Sequence, residues 1–168
     1  LLTAIPFDMG DIIISLGIIG PLAAIVAILF MRLVIFTGTI PGKINIKNWQ
    51  APIIAGFACG ICGLVFSEIL GLGTDVLMSV ITTQLLFGYL LALLVGKLIL
   101  TSICVGFGFF GGMFSPALFL GGVLGALVFQ LPVTSANPDL LSVLAVSGMA
   151  AVSSSVIGAP LTAIILVL

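Results

Sequence analysis

Histidine is absent from this 168-residue sequence, and charge nearly so: four Lys/Arg and five Asp/Glu amount to 5% of the chain. Soluble globular domains carry roughly 25% charged residues, so this chain cannot cover itself with a solvated exterior. Four basic residues make no stripe that could neutralise phosphates, which excludes nucleic acid as a partner. Without His the commonest metal ligand and general base is missing. No acid pair stands beside a nucleophile either, so an enzyme is the least supported class, and no metal or cofactor is expected. There are three cysteines, Cys59, Cys62 and Cys104. The first two form a CxxC, but a redox reading needs a βαβ setting and a metal reading needs two further ligands. The segment Ala58-Cys59-Gly60-Ile61-Cys62-Gly63 instead reads as small residues packing a helix. The residues from Leu1-Leu2 onward are not expected to act as a secretory leader, since no basic region stands there before an apolar core. The opening without Met and the ending inside the apolar run Ala163 to Leu168 lead us to expect a portion of a longer protein, with 1–168 forming part of one transmembrane domain.

What the sequence does contain is hydrocarbon, at 62% of residues. The fold class this predicts is all-α, a polytopic membrane protein whose partner is the lipid bilayer. A first helix is expected from Ile12, capped by Asp11, to about Phe36, with Gly17, Gly20 and Pro21 bending it or permitting close packing. Arg32 would snorkel near its end. A loop from Thr37 to Asn48 follows, marked by Gly38 and Pro41-Gly42. Lys43, Lys47 and Arg32 cluster around it, which places it in the cytoplasm by the positive-inside rule, with Trp49 in the adjacent headgroup belt. A second apolar stretch runs from Ala51 to Leu70, then a turn from Gly71 to Asp75, with Thr74 or Asp75 as the next N-cap. The thirty apolar residues from Val76 to Val105 exceed one crossing, and a division near Gly88 is expected.

The last third is built from shorter apolar segments, Ala117 to Leu131 and Leu140 to Val152. The first, at about 22 Å, cannot cross a core of about 30 Å. A helix that stops inside the membrane must hide its end in protein or point it at a water-filled cavity, and such broken helices mark transporter binding sites. The run Gly106-Phe107-Gly108-Phe109-Phe110-Gly111-Gly112-Met113-Phe114-Ser115-Pro116 opens the first of them. Pro116 suits the first helical position and Ser115 the N-cap. Extended backbone from Gly111 to Phe114 would then converge its amides at the positive end of the helix dipole, a site for a small anion. No basic residue occurs from Leu98 to Leu168; binding through amides and dipole alone lets a permeating ion leave again. The match of Gly106, Gly108 and Gly111 to GxGxxG is rejected as a dinucleotide site, because it lacks a preceding strand and a nearby acid.

Gly112-Met113-Phe114-Ser115-Pro116 resembles the GxFxP signature of CLC chloride channels and chloride/proton antiporters. Ser147-Gly148-Met149-Ala150-Ala151 and the stretch from Gly158-Ala159-Pro160-Leu161-Thr162 to Leu168 are similar to that family in order and spacing. The resemblance implies a CLC-type architecture of two inverted-topology repeats with broken and re-entrant helices, of which this chain covers most of the second. It implies a chloride ion, as substrate, coordinated by the backbone amides of Met113 and Phe114, with Gly111, Gly112, Ser115 and Pro116 completing the motif. It further implies a homodimer, for which Pro160, Leu161, Ile164, Ile165 and Leu168 are interface candidates, in a membrane that the motif variants suggest is a bacterial inner membrane. The family's gating glutamate and serine ligand belong to the first repeat, and its pore tyrosine lies beyond the equivalent of Leu168. Tyr89 does not take that part. Channel and antiporter both remain open.

Other ionisable residues have simpler readings. Glu68 and Lys97 are expected at helix ends, snorkelling to the interface. Asp75 and Asp139 read as caps, and Asn137-Pro138-Asp139 as a turn before a helix. Ser153-Ser154-Ser155 reads as a satisfied turn before Pro160, or as the lining of a polar path. A transporter of another small solute and a non-transporting membrane scaffold are the alternatives to anion transport.

Overall fold

A computed structural model describes residues 9–167 apart from positions 45, 48, 66, 72, 83, 84, 110 and 132–137. Among the described residues the chain is helical, with no strand. Its elements are α1 (Met9–Lys43), α2 (Gln50–Val65), a 3₁₀ turn (Ser67–Ile69), α3 (Thr74–Thr82), α4 (Phe87–Gly106), α5 (Phe114–Phe129), α6 (Pro138–Ile157) and α7 (Pro160–Val167). Three stretches are long and apolar enough to cross a membrane: Ile12–Lys43, Phe87–Gly106 and Leu140–Ile157.

Helix α1 starts earlier than its expected cap at Asp11 and runs seven residues past Phe36. The Thr37–Asn48 loop is thus mostly helix, ending in the last turn around Pro41. The reason lies in a crossing that the Gly/Pro punctuation conceals. The Thr37 hydroxyl donates to the Ser102 carbonyl of α4 at 2.6 Å, and Gly38 lies against the backbone of Gly106. That contact holds the segment helical where local propensity would release it. Pro21 is accommodated without ending the helix, and Gly17 and Gly20 face open space, so the close packing expected there is not found.

The α3–α4 break lies between Thr82 and Phe87, ahead of Gly88, which falls inside α4. Gly73 precedes α3, so Thr74 is already helical and neither it nor Asp75 is the cap. Gly71 and Gly73 both adopt positive φ, at 62° and 70°, which explains why glycine flanks this turn.

Helix α5 is the axis of the molecule. It touches α1, α3, α4 and α6 and is buried almost continuously from Ala117 to Phe129. At 16 residues it is about 24 Å long, and its protein jacket is what lets so short a helix end within an apolar body. Its far end is satisfied locally, by Gln130 N–H donating to the Leu127 carbonyl at 3.2 Å and Leu131 N–H to Val128 at 3.0 Å, while Gln130 Nε2 donates to the Leu85 carbonyl and ties that end to the segment before α4. Its closest neighbour is α6. A Cβ added at Gly121 or Gly125 would run into the backbone at Gly148 or Leu144. These glycines form a small-xxx-small seam at which two backbones meet, adding contact area without side-chain entropy. Helix α6 is longer than the expected Leu140 to Val152. The serine run continues it, with Ser153 Oγ donating to the Met149 carbonyl at 2.6 Å and Ser155 Oγ to Ala151 at 2.8 Å. Helical back-bonding engages these hydroxyls, so no turn is formed there, and the break falls at Gly158, with φ 74°.

Candidate functional site

The site is assembled by the end of α4 and the start of α5. Helix α4 closes with a 6→1 and 5→2 pair of hydrogen bonds: Phe109 N–H donates to the Cys104 carbonyl at 2.9 Å and Gly108 N–H to Val105 at 3.0 Å. Gly108 sits at φ 80°, which this cap requires and which a Cβ would strain. The chain thereby turns sharply out of α4 and passes through Gly111 and Gly112, both exposed, into α5. The GxGxxG pattern therefore follows a helix, as its rejection required.

The cap of α5 is Met113, in αR backbone at φ −79° and ψ −12°, with no side-chain hydrogen bond. Ser115 is not the N-cap and Pro116 is not the first helical residue; they are the second and third. The expected extended approach is helical by Met113. The shift follows from Ala117 N–H reaching back to the Met113 carbonyl at 3.2 Å, which adds a turn before Pro116 and leaves the proline ring in the first turn, where it is still tolerated. Because Pro116 has no N–H, the orphan donors of this turn reduce to the amides of Met113, Phe114 and Ser115, which reach no backbone acceptor among the described residues. Met113 packs against the core while Phe114, Ser115 and Pro116 are half-buried. A Cβ at Gly111 or Gly112 would meet nothing within 4 Å, so the protein's own packing does not demand glycine there.

Behind this segment lies a cavity of about 150 Å³, whose lining includes Gly111, Gly112 and Pro116 from the start of α5 and its approach, and Lys97, Thr101 and Cys104 from α4. Lys97 does not snorkel. It sits in the body of α4, 3% exposed, and its Nζ donates to the carbonyls of Ile69 and Gly71, each at 2.7 Å. Its ammonium also lies 5.0 Å from the centroid of the Phe119 ring on α5. Glu68 is exposed. Cys59 and Cys104 are free thiols on the lining of the same cavity; Cys59 packs on the core as expected, whereas Cys62 is exposed. Among the described residues no cluster of His, Cys, Asp or Glu could hold a metal ion.

Two features escaped the reading of the sequence. Gly121-x-x-x-Gly125 carries a signal that could have been found, the spacing of small residues on one helix face. Lys97 could have been found from its place in the middle of an apolar run of twenty residues. The interface candidates lie on α7: Leu161 and Ile165 are 76% and 77% exposed and Pro160 is exposed, while the Ile164 side chain and Leu168 fall outside the described residues.

Comparison with known proteins gives a consistent result. A family profile described as voltage gated chloride channel matches residues 3–168. The chain is 32% identical over 158 residues to the H(+)/Cl(−) exchange transporter ClcA of Klebsiella pneumoniae (strain 342), covering 90% of this chain and 33% of that protein. It is 31% identical over 159 residues to a protein of the same name from Citrobacter koseri, again 90% of this chain and 33% of the relative. For that of Yersinia pestis bv. Antiqua (strain Angola) the identity is 28% over 158 residues, with the same two shares. The chain thus spans about a third of the length of the curated relatives it matches.

Proposed function

Because the chain belongs to the voltage gated chloride channel family, we propose that it supplies one wall of a transmembrane chloride pathway, with the ion held by main-chain amides at the head of α5. The observation that carries this reading is the run of three first-turn amides, Met113 to Ser115, without a backbone acceptor among the described residues, at the positive end of a helix sheathed in protein. Such donors are strong where water is scarce, and they hold an anion without a basic side chain in direct contact that would retard its release. Met113 and Phe114 are the ligating amides in this reading, with Gly111 and Gly112 leaving room for the ion to approach.

The relatives are named as H(+)/Cl(−) exchange transporters, which favours antiport over a channel for the parent protein. Two inverted repeats, of which 1–168 is most of the second, residence in a bacterial inner membrane and a homodimer complete the proposal. Exposed Leu161 and Ile165 are the apolar contacts such a dimer would use. The relatives' naming as transporters speaks against an enzyme.

The test is anion efflux from liposomes holding the full-length parent protein, under an imposed pH gradient, beside its Gly112→Val variant. Chloride efflux abolished by a substitution that costs the fold little supports the amide site, and coupled proton movement makes the parent an antiporter. Well-folded protein without anion flux would leave the scaffold reading in its place.

A further inference from the structure

Lys97 is the only charged side chain buried among the described residues. A buried ammonium ordinarily has a carboxylate against it, since an uncompensated charge away from water is costly. Here the polar contacts are two carbonyls, of Ile69 and Gly71, and the face of the Phe119 ring. Dipoles and a ring face replace hydration but cancel no charge. Glu68 and Asp75, the acidic residues whose side chains are described, are both exposed. The two carbonyl acceptors and the ring face favour the ammonium over the neutral amine, and Lys97 lines the same cavity as Gly111, Gly112 and Pro116, the approach to α5.

We propose that Lys97 is an electrostatic anchor for the anion site: it does not touch the ion, and the bound anion is its counter-charge. This rests on the chloride reading above. Two of the three ammonium N–H donors are committed to carbonyls, which pins the side chain and prevents it from swinging out to ligate. A lysine in direct contact would hold the anion too long, whereas a field acting across the cavity raises occupancy without a bond that must break on exit. At a separation on the order of 10 Å and an effective dielectric of about 20, one unit charge changes anion affinity roughly tenfold to twentyfold. The same hydrogen bonds pin the turn after the 3₁₀ segment, so Lys97 is also a structural clamp, and the experiment must separate clamp from charge.

Chloride binding to the full-length parent protein, measured by calorimetric titration, does so with three variants. Lys97→Met removes both clamp and charge and is expected to bind chloride at least tenfold more weakly, while Lys97→Arg restores the affinity. Cys104→Asp keeps Lys97 in place and sets a carboxylate two turns along α4 from it, on the lining of the same cavity. It is expected to weaken chloride by a similar factor, and it decides the matter if Lys97→Met does not fold. Wild-type affinity in a folded Cys104→Asp protein would reduce Lys97 to a clamp and overturn the inference, whatever Lys97→Met does. Absence of chloride binding in the wild-type protein would overturn the anion site itself, and this inference with it.

Discussion

Met113 caps α5 with a φ of −79°, a value within the range a proline ring imposes, and its N–H has no backbone partner among the described residues. Replacing it by proline would therefore delete one donor while leaving its own backbone angle nearly unchanged. Hydrogen bonds to a charged partner contribute about 1.5–3 kcal/mol. Met113→Pro in the parent protein should accordingly weaken chloride binding by roughly tenfold to more than a hundredfold, whereas Met113→Ala, which keeps the amide, should shift it far less; equilibrium chloride titration checks both. The residue scale also explains why Gly112 is informative. A Cβ there meets nothing, so Gly112→Ala should leave thermal stability within about 0.5 kcal/mol of the parent, as for a surface substitution away from any strained or buried feature. Any loss of flux in such a variant reports on the ion's path and not on folding.

Gly125 lies at the opposite extreme, on the seam where α5 and α6 bring their backbones together. Side chains there have nowhere to go, because the obstacle is main chain and cannot change rotamer. Gly125→Val should destabilise the parent by about 3 kcal/mol, the upper end of overpacking costs, and lower its melting temperature in detergent by several degrees. At this scale the sequence was legible where one element decides its own fate. The short helix after the GxFxP-like segment, the turn at Gly71 and the α2 stretch all follow from hydropathy, glycine and length. It was misread where a second element intervenes. Thr37 and Gly38 look like the start of a loop until Ser102 and Gly106 are placed against them, and Lys97 looks interfacial until the carbonyls of Ile69 and Gly71 arrive from another part of the chain. The serines before Gly158 look like a turn because their hydroxyls can bond locally, and they do, but within the helix. The cap of α5 was missed by two residues for a related reason: Pro116 is compatible with several first-turn positions, and only the Ala117 to Met113 hydrogen bond chooses among them.

Across the whole molecule, α1 is about 52 Å long and carries Lys43 in its last turn and Lys47 just beyond, so its two ends lie on opposite sides of any bilayer it crosses. The positive-inside rule then orients the entire chain through one loop. A cysteine at Lys47, in a background with Cys59, Cys62 and Cys104 replaced, should react with an impermeant maleimide only when the cytoplasmic face is opened; labelling of intact cells would invert the topology. The interior arranged by that orientation is unusual in what it asks of sequence. Its proposed ligands are main-chain amides, which every residue except proline provides, so drift in side chains leaves the chemistry untouched as long as the turn at Gly108 and the cap at Met113 keep their angles. An alanine scan of Met113 to Ser115 would then read as nearly silent, and a surveyor relying on side-chain deletions would draw the map with its most important landmark left blank.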